Sequence, residues 1–199
     1  MPKARILIAD DDKLVLAALA SELRDAGYTI FELGNCREVM KLCEEEQPDI
    51  AILDVRMPTM DGIELGCQLQ KFTGTPFMIL SANGNKELVE KATDLGALSY
   101  LVKPIDIKQL VPMIEAALKR SAQIKMLQEN ESRLVSTLKN KQLTSTAVGV
   151  VMERHHLSRA AAFEKLRNHA RSRRQKLTEI ADELVKAVET ANINHRREI

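Results

Sequence analysis

The chain has 199 residues, 45% hydrophobic and 29% charged, a composition that belongs to a folded protein and excludes a disordered one. Its net charge of +1 conceals an uneven distribution: residues 1–118 carry 12 Lys and Arg against 19 Asp and Glu, and residues 119–199 carry 17 against 9. No apolar run approaches the roughly 20 residues that span a bilayer, the charged N-terminus is no secretory signal, and Cys36, Cys43 and Cys67 have neither the number nor the spacing of a disulfide framework or zinc site.

The first 118 residues alternate strand-like and helix-like segments. Short, almost wholly apolar runs predict strands over 5–9, 28–32, 50–53, 77–81 and 99–102, as expected of strands covered on both faces. Helices are predicted between them over 14–26, 36–46, 62–71, 85–95 and 107–119. Gly27 and Gly96 stand where helices end, and Asn35 and Asp106 where they begin. Five βα units in this order imply an α/β, flavodoxin-like (βα)5 domain. No glycine occurs between Ile107 and Lys141, so the last helix is predicted to continue as a long connecting helix. Ile124, Leu127, Leu134 and Leu138 have a/d spacing on it, with Glu131 as a polar interruption, a pattern that suits either a coiled coil or a helix docked on its own protein.

The remainder reads as a small all-α three-helix domain. One helix is predicted to end near Arg154, a second to cover 159–171 behind a Ser158 cap, and a third to run over about 174–191. The apolar positions Val148, Val151 and Met152, then Ala162, Phe163, Leu166 and Ala170, then Leu177, Ile180, Ala181, Leu184 and Val188 keep helical spacing. So small a unit needs the long helix or a second subunit to pack against.

The residues that carry chemistry sit just past the ends of the apolar runs: Asp10 and Asp11, Asp54, Ser81 and Lys103. In an open parallel sheet these are the carboxyl ends of strands, where ligands bind. The carboxylates, a hydroxyl and an amine converging there suit a divalent metal and a phosphoryl group. Asp54 is the candidate nucleophile, since a carboxylate forms an acyl phosphate. Its charge repels an incoming phosphoryl group, and Asp10, Asp11 and Asp54 offer hard oxygen ligands for Mg²⁺. Lys103 and the Ser81 hydroxyl would contact the phosphoryl oxygens. Asp12, Asp49 and Asp61 are read as loop or cap residues.

The pieces ILIADDD (6–12), DIAILDVRMPTMDGIEL (49–65), ILSA (79–82) and YLVKPI (100–105) closely resemble a response-regulator receiver domain. The resemblance implies a regulator rather than an enzyme, phosphorylated on Asp54 by a sensor histidine kinase. It implies Mg²⁺ on Asp11, Asp54 and the backbone carbonyl of Arg56, with Asp10 assisting. It makes Tyr100 the aromatic whose rotamer reports activation, and the Lys103–Pro104 bond cis.

The densest basic stretch is residues 167–176. If helical, Arg167, Arg171 and Arg174 fall on one face, a stripe suited to phosphates. AVGVVMERHHLS (147–158), AFEKLRNHA (162–170) and RQKLTEIADELV (174–185) resemble an ANTAR domain, the RNA-binding module of transcription antitermination regulators. Val148 departs from the family's usual lysine in an Ala-Lys-Gly triplet, and Lys141 and Thr144 from its usual Arg and Ile. Ala147 and Gly149 are read as allowing close helix packing.

The expected organisation is a receiver over 1–120, then a helical linker and ANTAR domain over 121–199, its core at about 133–190. The expected function is a cytoplasmic, homodimeric two-component response regulator that binds hairpins in nascent leader RNA. The alternatives are a DNA-binding regulator using 159–171 as a recognition helix, and a dimerising module without nucleic acid.

Overall fold

The computed structural model describes residues 3–57 and 60–195; Pro58 and Thr59 of the acceptor motif lie outside them. The chain divides into two compact units, 1–125 and 126–199.

In the first unit the apolar runs form strands β1 (Arg5–Ala9), β2 (Thr29–Leu33), β3 (Ile50–Asp54), β6 (Phe77–Ser81) and β7 (Tyr100–Val102). They make one sheet in the order β2-β1-β3-β6-β7, parallel throughout. This is the doubly wound, flavodoxin-like order, with a topological switch beside the first strand. A two-residue antiparallel pair, β4 (Arg56–Met57) and β5 (Met60–Asp61), follows the acceptor strand.

Helices α1 (Lys13–Asp25), α2 (Val39–Glu46), α3 (Gly62–Thr73), α4 (Lys86–Asp94) and the start of α5 (Ile107–His155) accompany the sheet. Alternation along each strand sends successive side chains to opposite faces. Ile6, Ile8, Ile50, Ile52, Met78 and Leu80 pack with Leu16, Leu19 and Leu23 of α1 and with Leu110 and Ile114 of α5. Leu7, Ala51, Leu53, Phe77 and Ile79 pack on the other face with Val39, Ile63, Leu65, Leu69 and Ala92 of α2, α3 and α4.

The ends of these helices have local causes. The Asp12 carboxylate accepts from the backbone N–H of Leu14 and Val15, Asp61 from Ile63, and Asp106 from Lys108, so the predicted cap roles are met. Asp49 accepts from Arg5 N–H and holds the loop before β3. Asn35 does not cap α2 where expected. Its side chain accepts from Arg37 and Glu38 N–H in a preceding turn, and α2 begins only at Val39. β2 is one residue later than predicted, because Tyr28 is buried in the first core and its hydroxyl meets Glu115.

The long helix exceeds expectation. The predicted connecting helix and the first tail helix are one element of 49 residues. In the second unit its C-terminal part packs with α6 (Arg159–Arg173) and α7 (Leu177–His195). The core joins Ala147, Val148 and Val151 to Ala162, Leu166 and Ala170 and to Ile180 and Ala181. Half of these residues are alanines, which lets the helices approach closely.

Candidate functional site

Register alone brings the predicted acidic residues to one edge. Ala9 pairs with Leu53, so Asp10 and Asp54 follow side by side; Asp54 pairs with Leu80, and Ser81 with Val102 just before Lys103. Asp10, Asp54 and Ser81 are all buried. Lys103 reaches between the carboxylates: its Nζ donates to Asp10 Oδ2 at 2.5 Å and to Asp54 Oδ1 at 2.7 Å. The Lys103–Pro104 bond is cis.

The remaining lone pairs are also used. Asp54 Oδ2 accepts from Arg56 N–H at 2.6 Å, and Asp10 Oδ1 from Asp12 N–H at 3.1 Å. Burial works against charge on Lys103, but the bonds to Asp10 and Asp54 outweigh it, and the ammonium pKa lies above its ordinary 10.5.

The expected convergence of three carboxylates is met by two. Asp11 is exposed, and among the described residues no three His, Cys, Asp or Glu side chains gather closely enough to enclose a metal. That donor set still fits Mg²⁺, which keeps several waters and takes one or two carboxylates rather than a full protein cage. It does not fit a metal that requires a closed set of nitrogen or sulfur ligands.

Two features escaped sequence reasoning. Gly62 opens α3 directly against the acceptor strand: a Cβ there would lie 1.8 Å from the Asp54 carbonyl oxygen. Tyr100, half-buried, donates its hydroxyl to the Asn83 carbonyl at 2.6 Å, while Asn83 N–H donates to Ser81 Oγ at 3.2 Å. Asn83 thereby connects the predicted phosphoryl contact to the predicted switch aromatic. No periodicity marks such a loop residue.

The basic tail differs from its predicted stripe. Arg167 and Arg171 occupy successive turns of α6 and are exposed, and Arg167 meets Glu164 at 3.1 Å. Arg174 is not on their face, because α6 ends at Arg173 and Arg174 takes the left-handed capping conformation. Ala147 is fully buried as expected of a packing residue, but Gly149 is exposed, and a Cβ there would meet nothing within 4 Å. Val148 is buried in the helical core. Phe163, predicted among the apolar packing positions, is 37% exposed.

The family model of the response regulator receiver domain matches residues 6–115, and that of the ANTAR domain residues 132–185. The chain is a two-component response regulator of the receiver–ANTAR type. The regulator is 35% identical over 187 residues to the transcriptional regulatory protein PdtaR of Mycobacterium tuberculosis strain H37Rv, covering 94% of this chain and 91% of that protein. Over 120 residues it is 36% identical to the transcriptional regulatory protein GlrR of Escherichia coli K12, covering 60% of this chain and 27% of GlrR. Among solved structures, a CheY-like receiver domain protein of Methanospirillum hungatei has a TM-score of 0.57 at 26% identity, covering 60% of the regulator and 97% of that chain. The receiver domain of Francisella response regulator 1452 has a TM-score of 0.56 at 29% identity, covering 60% and 99%. Among the described residues no helix is long and apolar enough to cross a membrane.

Proposed function

We propose that this regulator accepts a phosphoryl group on Asp54 from a sensor histidine kinase and thereby controls binding of its ANTAR domain to hairpins in nascent RNA, preventing termination. The observation that carries the reading is the pair of buried carboxylates, Asp10 and Asp54, held by Lys103 beside Ser81 at the carboxyl edge of a receiver sheet. Membership in the receiver–ANTAR family supports the coupling of the two activities. Residues 1–120 form the phosphoacceptor domain. Residues 121–199 form the linker and the ANTAR domain, with its core at about 133–190. The regulator acts in the cytoplasm and catalyses no reaction on a separate substrate.

A carboxylate oxygen of Asp54 attacks phosphorus on the kinase's phosphohistidine; the P–O bond forms as the P–N bond breaks, and the imidazole leaves. Asp10, Asp11 and Asp54, with the Arg56 carbonyl, would hold Mg²⁺, whose charge offsets repulsion between carboxylate and phosphoryl oxygens. Lys103 stays charged through neutral pH and is placed to pair with the transferred group. Ser81 Oγ donates its O–H to a phosphoryl oxygen while its lone pairs still accept from Asn83 N–H, so movement of Ser81 toward the phosphoryl group draws Asn83 with it and shifts the carbonyl to which Tyr100 is tied. The two states must differ in their contacts for phosphorylation to select between them.

The stripe on α5 supports a homodimer. Leu127, Leu134 and Leu138 are each about two-thirds exposed, and a second copy of the helix would cover them.

The deciding experiment is phosphotransfer from a small phosphodonor with Mg²⁺, followed by binding to leader-RNA hairpins and to matched DNA duplexes. Wild type is expected to be labelled and then to prefer the hairpin. Asp54→Asn is expected to take no label and to show no donor-dependent gain. Unchanged labelling of that variant overturns the acceptor assignment, and a preference for duplex DNA overturns the output assignment.

A further inference from the structure

The ANTAR unit carries two open grooves. One, about 580 Å³, is lined by Val151, His155, His169 and Glu183 among others, and so includes a carboxylate. The other, about 750 Å³, lies where α5 meets the beginnings of α6 and α7, and its lining includes Asn140, Lys141, Thr144, Ser145, Arg159 and Phe163. No carboxylate lines this second groove among the described residues. Among the described residues Lys141 makes no ion pair, and Arg159 makes a long bond, 3.4 Å, to Ser145 Oγ.

Phe163 is decisive. It is among the few aromatic residues of the chain and the sole one in the second unit. It stands 37% exposed although the buried row of its own helix, Ala162, Leu166 and Ala170, lies next to it. Arg159, Phe163, Arg167 and Arg171 follow one another at intervals of four along α6, so they form one ridge. Three cations are thereby interleaved with one aromatic face, and the aromatic opens into a groove with an amide and hydroxyls on its opposite wall. Cations along a ridge suit successive phosphates. An exposed ring beside hydrogen-bonding groups suits one unstacked base, which needs a π-face and partners for its edge.

Resting on the RNA-binding reading above, we infer that this groove receives an unpaired loop base of the RNA hairpin, stacked on Phe163. Asn140 and the hydroxyls of Thr144 and Ser145 meet the base edge. Lys141 and Arg159 hold the flanking phosphates, and Arg167 and Arg171 extend the backbone track. The seam on α5 does not compete for this space. Its a/d positions turn polar at Lys141 and Ser145, and Val148 is committed to the core of its own unit.

The test uses the full-length regulator, phosphorylated with a small phosphodonor and Mg²⁺. It first selects the tightest hairpin from RNAs with a fixed stem and randomised loop. That hairpin is then compared with a copy whose loop is abasic. Phe163→Ala is expected to weaken binding to the intact loop roughly tenfold, the usual scale of base–aromatic stacking, and to leave the abasic copy unaffected. Lys141→Gln with Arg159→Gln is expected to weaken both and to lower the slope of log affinity against log salt by about 0.7–0.9 per lost contact.

An intact-to-abasic affinity ratio that is the same in Phe163→Ala as in wild type overturns the inference. Because that variant removes a partly packed side chain, wild type is also photo-crosslinked to the selected hairpin with 5-iodouracil at each loop position in turn. Adducts on Phe163 or on residues 137–148 are expected, and adducts confined to other segments overturn the inference. If wild type enriches no hairpin in either state, the RNA-binding reading falls and the inference with it. If a hairpin is enriched and depends on Arg167 and Arg171 but not on the groove, the inference alone falls.

Discussion

Lys103 serves two buried carboxylates at once, and its titration gives a signed prediction. Its pKa is raised in the folded state, so the stability it contributes is fully present below the ordinary 10.5 and is lost as pH rises through the higher folded value. The stability difference between wild type and Lys103→Met is therefore expected to be constant from pH 7 to about 10 and to shrink above it. Denaturant unfolding across that range checks this, and a difference that widens in alkali refutes it. Burial opposes charge on Cys43 as it does on Lys103, but here it prevails: desolvation, partly offset by a bond to Thr75, pushes the thiol up to about 11. A thiol reagent at pH 8 is expected to modify half-exposed Cys67 first and to reach buried Cys36 and Cys43 only as the protein opens. Gly62 is demanded by contact rather than by backbone freedom. Gly62→Ala would have to push α3 away from the Asp54 carbonyl, and phosphotransfer to Asp54 is expected to slow even where the protein still folds.

Among the elements, α6 depends on its ends. Ser158 Oγ accepts from Ala161 N–H at 3.3 Å, and the left-handed Arg174 closes the other terminus onto Ala170 and Arg171. Ser158→Ala is expected to cost about 1 kcal/mol, read as faster amide exchange in α6. The early arrest of α6 also decides the shape of its basic face. Periodicity extended through Arg174 places three arginines on one face, but the chain reverses one residue before the third, and the ridge instead runs back through Phe163 to Arg159. Strands were the most legible elements. All five agree with the prediction to within one residue at each end, because a short apolar run between turn residues has few other places to go. Helix starts were less legible where a side chain caps a turn instead, as Asn35 does.

For the whole molecule, the uneven charge and the exposed stripe on α5 matter together. The basic second part suits a polyanion, and its binding is expected to weaken steeply with salt. Changing Arg167, Arg171 and Arg174 together to Ala is expected to weaken hairpin binding and flatten that dependence. The stripe carries the proposed self-association. Leu127→Lys with Leu134→Lys places charges on the seam of the proposed homodimer and is expected to make the regulator sediment as a smaller species than wild type. Unchanged sedimentation of the double variant would overturn the assignment of this seam to the proposed homodimer.

The sequence by itself determined the order of strands and helices, the residues at the carboxyl edge of the sheet, and the family of both parts. It could do so because hydrophobic period and strand-end position are local properties, and Asp10, Asp54, Ser81 and Lys103 follow from them once the strands are parallel. Only the tertiary structure decided which groups satisfy one another across the chain. The shared grip of Lys103 on two carboxylates, the contact of Gly62 with Asp54, the relay from Ser81 through Asn83 to Tyr100, and the exposure of Phe163 each join residues from different segments or depend on how helices shield one another. Distances of that kind are set by packing, and no window of sequence contains them.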